Sequence, residues 1–125
     1  MDYFERKGNI GILYLRKKSD LKHSSEHALR GFSDKAKELV EDGIRNIVLD
    51  FEDIPRFISD DATEIMLAYE EVLKVTGTKL YLCNLEKSPK KIATAVGIAN
   101  LLGIEIRGSI DETVAELEAA SETPQ

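Results

Sequence analysis

The sequence holds no tryptophan, one cysteine, three prolines and two histidines. A lone thiol, Cys83, excludes an internal disulfide framework and points to a reducing compartment. The two histidines, His23 and His27, come without a His-Glu-x-x-His pattern or a third ligand, so they read as solvated polar residues and not as a metal pair. No apolar run approaches the roughly 18 residues that a membrane span needs, and no apolar segment of leader type opens the chain. The expected location is therefore cytoplasmic, with no membrane span. Positive charge is also short: 17 Lys and Arg stand against 23 Asp and Glu, for a net charge of −6. Phosphate binding needs clustered cations, so direct binding to nucleic acid is not expected. The glycines form neither a G-x-G-x-x-G nor a G-x-x-x-x-G-K-[ST] pattern, and there is no internal repeat or low-complexity segment.

What remains is the composition of one globular domain spanning residues 1–125, 42% hydrophobic and 32% charged. Two strand-like runs split at Lys7-Gly8-Asn9, and the second carries apolar residues on both faces. Ser19 to Ser25 reads as a loop. Residues 25–40 place Ala28, Leu29, Phe32, Ala36, Leu39 and Val40 at helical spacing, and Glu41-Asp42-Gly43 ends that helix. Residues 44–51, "IRNIVLDF", are a short β-branched run with little alternation, as in a central parallel strand.

A connector containing Pro55 leads to a second helix that begins near Asp60 and Asp61. Its apolar stripe is Ala62, Ile65, Met66, Tyr69, Val72 and Leu73, and Gly77 closes it. Residues 79–84 form another strand. Ser88-Pro89 starts a helix whose face is Ile92, Ala95, Val96 and Ala99, with a break or bend expected at Gly97. After the short strand in "GIEIRG", Ser109 to Glu112 form a capping box for a last helix, with Val114 and Leu117 turned inward. Residues 121–125 read as a frayed tail. The order β-β-α-β-α-β-α-β-α predicts a single α/β domain with a mostly parallel sheet and an N-terminal hairpin.

Few residues carry candidate chemistry. Cys83 lies in a strand-like run after Leu80-Tyr81-Leu82 and reads as a structural thiol. Lys87, Lys90 and Lys91 beside Ser88 could greet an anion at a helix start, but a solvated basic face explains them more simply. Asp50, Glu52, Asp53, Asp60 and Asp61 could hold Mg²⁺ at a strand end. Against that, Asp61-x-x-Glu64 fits a capping arrangement, and acids in a first turn complement the helix dipole. No cofactor is implied.

The residues "NIVLDFEDIPRFISDDATEIMLAYEEVLKVTGTKLYLCNLEKSPKKIATAVGIANLLGIEI" resemble the STAS domain of bacterial anti-sigma factor antagonists. In that family a strand ending in L-D-[LF] is followed by a connector, an F-x-D-S-[ST]-G segment and an amphipathic helix; a strand near L-x-L-x-N comes next, and then a helix ending at glycine. Val48-Leu49-Asp50-Phe51, Phe57 with Ser59-Asp60-Asp61-Ala62, Leu80 to Asn84, and Gly97-Ile98 with Leu101-Leu102 match these in order. The likeness covers about residues 8–118.

The resemblance implies a non-enzymatic interaction domain in a partner-switching pathway that regulates sigma-factor-dependent transcription. Its implied partners are a serine-kinase-like anti-sigma factor and a PP2C-type phosphatase. The implied partner-binding residues are Asp50, Pro55, Phe57, Ser59, Asp60, Asp61 and Thr63. In switching members the serine after the motif's aspartate is phosphorylated, a position that Asp60 occupies here. A register shifted by one, allowed by a connector one residue longer than usual, places Ser59 there instead. Aspartate is permanently charged and cannot accept phosphate from a serine kinase. Two alternatives stand beside this reading: a STAS scaffold or transport accessory subunit that is not switched, and an Mg²⁺-dependent enzyme using the acidic cluster.

Overall fold

Ile47, Val48 and Leu49 run consecutively in one strand and expose no surface, so both faces of that strand are covered. It lies at the middle of a five-stranded sheet in the computed structural model, which describes residues 3–15, 29–52, 59–85 and 89–122. The strands are β1 (Tyr3–Lys7), β2 (Ile10–Tyr14), β3 (Asn46–Asp50), β4 (Lys79–Cys83) and β5 (Glu105–Arg107), and they neighbour one another in chain order. β1 pairs antiparallel with β2 through the turn at Gly8, whose φ is 61°. The other three pairings are parallel. The α/β class, the hairpin and the central place of residues 44–51 are as the sequence predicts.

The helices are α1 (Phe32–Glu41), α2 (residues 59–76), α3 (Pro89–Leu102) and α4 (Ile110–Glu122). α2 consists of an α-helical stretch Ser59–Ala68, a π-helical turn Tyr69–Leu73 and a last α-helical turn Lys74–Thr76. Parallel strands that progress in one direction with crossovers of one hand place every connecting helix on the same side. α1, α2 and α3 accordingly share one face, where Leu13, Ile47, Leu49, Leu80 and Leu82 meet Phe32, Ile65, Ala68 and Ala99 in one core. The opposite face carries Ile10, Ile12, Val48, Tyr81 and Cys83, and α4 covers it through Val114, Ile110 and Leu117.

Several local expectations are corrected. α1 starts at Phe32 and not near Ser25: Leu29, Arg30 and Gly31 form a turn in which Phe32 N donates to Leu29 O at 2.9 Å, with Gly31 at φ 78°. Ala28 and the expected loop before it lie outside the described residues. Met66 is 40% exposed, and Ala68 takes the inward position expected of it. α3 runs through Gly97 without a break. Glycine weakens a helix by only about 1 kcal/mol, and the packing of Ala95 and Ala99 outweighs it. Val96 is half-exposed, while Ile98 and Leu102 lean on the core instead.

Other details hold. Gly77 closes α2 at φ 69°, and α1 ends at Asp42-Gly43. Ser109 Oγ accepts from Glu112 N at 3.1 Å, which is the forward half of the capping box at α4. The tail expected to fray from residue 121 is corrected at its start, since α4 continues to Glu122; residues 123–125 lie outside the described ones.

Leu49 is fully buried and belongs to the larger core cluster. Leu49→Ala is expected to lower stability by about 2–5 kcal/mol. Leu101→Ala, at a position 69% exposed, is expected to change it by less than about 0.5 kcal/mol. Urea denaturation of the two variants against the parent measures both, and similar losses would contradict the burial described.

Candidate functional site

The carboxyl ends of the parallel strands are tied together by side chains. Asp50, the last residue of β3, is buried, and its Oδ1 accepts from Glu52 N at 3.0 Å and from Asn84 Nδ2 at 2.8 Å. Asn84 follows β4 in the left-handed conformation, with φ 57°, which asparagine tolerates better than most residues. Its backbone N donates to Gly108 O at 3.1 Å, just past β5. Leu15 N reaches Asp50 O, and Phe51 N reaches Cys83 O, at 3.1 and 3.0 Å. Val48-Leu49-Asp50-Phe51 and Leu80 to Asn84 therefore meet in space through one carboxylate–amide bond. Sequence reading names both segments but does not foresee their contact. The signal available is an Asp and an Asn each closing an apolar run.

α2 starts at Ser59, so Asp60 and Asp61 lie inside its first turn and neither is the residue before the helix. The expected capping role of Asp61 is thus replaced by another. Asp61 is 1% exposed, and its Oδ1 accepts from Leu29 N at 3.1 Å. It anchors the segment leading into α1 on the start of α2, across 32 positions of sequence. Both acids still stand where the positive end of the helix dipole favours them.

Asp60 and Thr63 face outward, and so do Met66 and Leu67, at 40% and 47% exposure. Positions 60, 63 and 67 follow helical spacing, so they line one side of α2. The result is a strip with an acid at the head and two thick apolar side chains behind it. Sequence reading places Met66 inward, because helical periodicity leaves the edge of an apolar stripe ambiguous by one position, and it assigns Leu67 to neither side. Of the other expected partner-binding residues, Pro55 and Phe57 lie outside the described residues, and Ser59 is placed by its backbone alone. Asp53, Lys87, Ser88, His23 and His27 also lie outside them, as do the side chains of Lys90 and Lys91.

α2 is further held to α1 by Glu71, which accepts from Ser33 Oγ at 3.0 Å and pairs with Lys37 Nζ at 3.2 Å. The Ser33 hydroxyl first, and Lys37 second, hold the Glu71 carboxyl below its ordinary range. Cys83 lies on the opposite sheet face. It is fully buried, with its Sγ 3.4 Å from Thr113 Oγ1. The Thr113 hydroxyl donates to Ser109 O at 2.7 Å, which leaves its oxygen to accept the thiol proton. Burial pushes this thiol above its ordinary value, with the bond to Thr113 opposing. No group of three or more His, Cys, Asp or Glu suited to a metal occurs among the described residues.

No protein-family profile matches the chain, and no curated protein matches it. Among solved structures it is similar to the NMR structure of the protein TM1081, with a TM-score of 0.67 and 15% sequence identity. The match covers 94% of this chain and 89% of that one. At that identity the likeness is one of fold. No helix among the described residues is long and apolar enough to cross a membrane.

The two adjacent aspartates are expected to behave differently. Asp61→Ala strips a buried backbone N–H of its acceptor and should cost about 1–3 kcal/mol, whereas Asp60→Ala, at an exposed position, should cost about 0.5 kcal/mol or less. Chemical denaturation decides this, and equal losses would place both carboxylates in the same role.

The raised Cys83 thiol gives a second expectation. A thiol whose folded value lies above its unfolded one favours folding fully below the unfolded value, about 8.5, and this contribution is lost as pH rises through the folded value. Stability of the parent should therefore decline above about pH 8.5 more steeply than that of Cys83→Ala, whose overall stability is lower. Denaturation midpoints measured across the alkaline range test the difference.

Proposed function

We propose that this chain is a protein-interaction domain of STAS type, without catalysis of its own, that antagonises an anti-sigma factor in a bacterial partner-switching pathway. The observation that carries the reading is the division of labour between Asp60 and its neighbours. Asp50 and Asp61 are consumed by internal hydrogen bonds. Asp60 stands in solvent at the head of a helix side that also presents Met66 and Leu67. Interfaces combine such apolar anchors with charged positions that select the partner and set its approach. Within the set expected from sequence, Asp50 and Asp61 are buried while Asp60 and Thr63 are exposed; Met66 and Leu67 join the proposed surface, and Pro55, Phe57 and Ser59 stay in it as expectations.

The proposed partner is a serine-kinase-like anti-sigma factor, with a PP2C-type phosphatase as the opposing enzyme. In a switched relative, phosphate adds about −1.5 to −2 charges at the helix start. Asp60 supplies one permanent negative charge there and holds the surface closer to its modified state. The same aspartate favours a second reading, a STAS scaffold or transport accessory subunit that no kinase switches. The third reading, an Mg²⁺-dependent enzyme, draws less support, because Asp50 Oδ1 and Asp61 Oδ1 already accept amide hydrogen bonds.

The test compares binding of the anti-sigma partner to the parent, Asp60→Ser and Asp60→Ala, with and without ATP. Asp60→Ser is expected to tighten binding by about 0.5–1 kcal/mol, the scale of one exposed charge, and phosphorylation of that serine should weaken it again. Phosphate incorporated at Ser59 of the parent would move the acceptor by one position. Equal affinity of all three, indifferent to ATP, would favour the unswitched scaffold. Tighter binding by the parent than by either variant would make Asp60 a direct attractive contact.

A further inference from the structure

Among the described helices, α4 covers one face of the sheet by itself, and it does so with few apolar groups. Val114 is its one buried apolar side chain among the described residues, and Ile110 and Leu117 are half-buried. The shorter α1, by comparison, buries Phe32, Ala36 and Leu39. Glu118, Ala119 and Ala120 are exposed. Leu117 and Ala120 line a cavity of about 340 Å³ together with Asn46, Lys79 and Tyr81, so the second half of α4 stands off the sheet.

The hydrogen bonds that attach α4 lie at its start. Ser109 Oγ accepts from Glu112 N, Thr113 Oγ1 donates to Ser109 O, and Cys83 Sγ lies 3.4 Å from Thr113 Oγ1. Further along, Arg107 Nη1 pairs with Glu116 Oε2 at 2.6 Å, but these side chains are 34% and 57% exposed. An ion pair so open to water contributes little. α4 carries Asp111, Glu112, Glu116, Glu118 and Glu122 and no Lys, Arg or His. The first two suit the positive end of the helix dipole, whereas the last two lie toward its negative end with no cation among them. Against these thin attachments stands the entropy lost in ordering the 13 residues of the helix.

We propose that α4 is a strap that opens as one unit from a sheet that stays folded. Opening breaks the contact of Thr113 with Cys83 and the pair of Arg107 with Glu116, and it uncovers Ile10, Ile12, Val48, Tyr81 and Cys83. The core on the other face keeps its packing, because that cluster contains no residue of α4. Elements with few buried apolar contacts open locally, at a smaller free energy than global unfolding. The apolar face left in water keeps the open form a minority. The strap lies on the face opposite α2, so it stands or falls independently of the Asp60 surface.

The experiment combines native-state hydrogen exchange of the ¹⁵N-labelled full chain with N-ethylmaleimide labelling of Cys83 under the same conditions. Cys83 is the chain's single thiol and is fully buried while α4 is docked. The amides of Val114, Leu117 and Glu118 and the Cys83 thiol are expected to share one opening constant. It should exceed that of the Ile47, Val48 and Leu49 amides by roughly tenfold or more. Val114→Ala should raise both Cys83 labelling and α4 exchange by roughly tenfold. Ile47→Val, in the other core, should speed exchange in β3 and leave the opening of α4 unchanged. Cys83 labelling at the opening rate of β3, or an equal response of every site to both variants, would overturn the proposal, since α4 would then leave only when the whole domain unfolds. Fast exchange in α4 beside slow labelling of Cys83 would reduce the motion to fraying of a helix end and would overturn it too.

Discussion

The hand of the β-α-β crossover governs most of this molecule. Strands β2 to β5 advance across the sheet in one direction, so each crossover of the same hand delivers its helix to the same face. Three helices crowd there and build the larger core. The other face would lie bare, with Ile10, Ile12, Val48, Tyr81 and Cys83 in water, were α4 not laid across it after the last strand. At roughly 25 cal/mol per Å² of apolar surface, leaving that face open would be costly, and the Ser109 cap that launches α4 directs the chain back onto it.

The same topology separates the two ends of the sheet chemically. At the carboxyl ends, polar side chains serve the fold. Asp50 binds Asn84, and Asp61 receives Leu29 N, so the exits of β3 and β4 and the approach to α1 are fixed relative to one another. Asp61 being spent internally, Asp60 is the acid of the first turn that faces solvent. At the amino ends the polar groups are less tightly engaged. There the cations Arg45 and Lys79 come after the ends of α1 and α2 respectively and lead into buried strands, where a positive charge suits the carbonyl end of a helix.

α2 is the element in which periodicity is least reliable. Ala62, Ile65, Ala68, Val72 and Leu73 are buried along one side, before and within its π-helical turn, Tyr69–Leu73. Met66 lies just past the edge of that stripe, where helical spacing alone does not decide between core and water, and it faces solvent.

The sequence by itself determined the element order, the central place of "IRNIVLDF", the hairpin at Gly8, the C-terminal stop at Gly77 and the capping box at Ser109. Each of these comes from short-range physics: a buried strand must be apolar throughout, and turns and caps need particular residues within a few positions. It also marked the stretch around Asp60 as the place of interest. Only the tertiary structure decided which acids remain on the surface, because the bond from Leu29 to Asp61 and the bond from Asn84 to Asp50 span 32 and 34 positions. Residue type alone makes Asp60 and Asp61 equivalent. What distinguishes them is a turn of about 100° of helix per residue, which aims one carboxylate at a buried amide and the other at water.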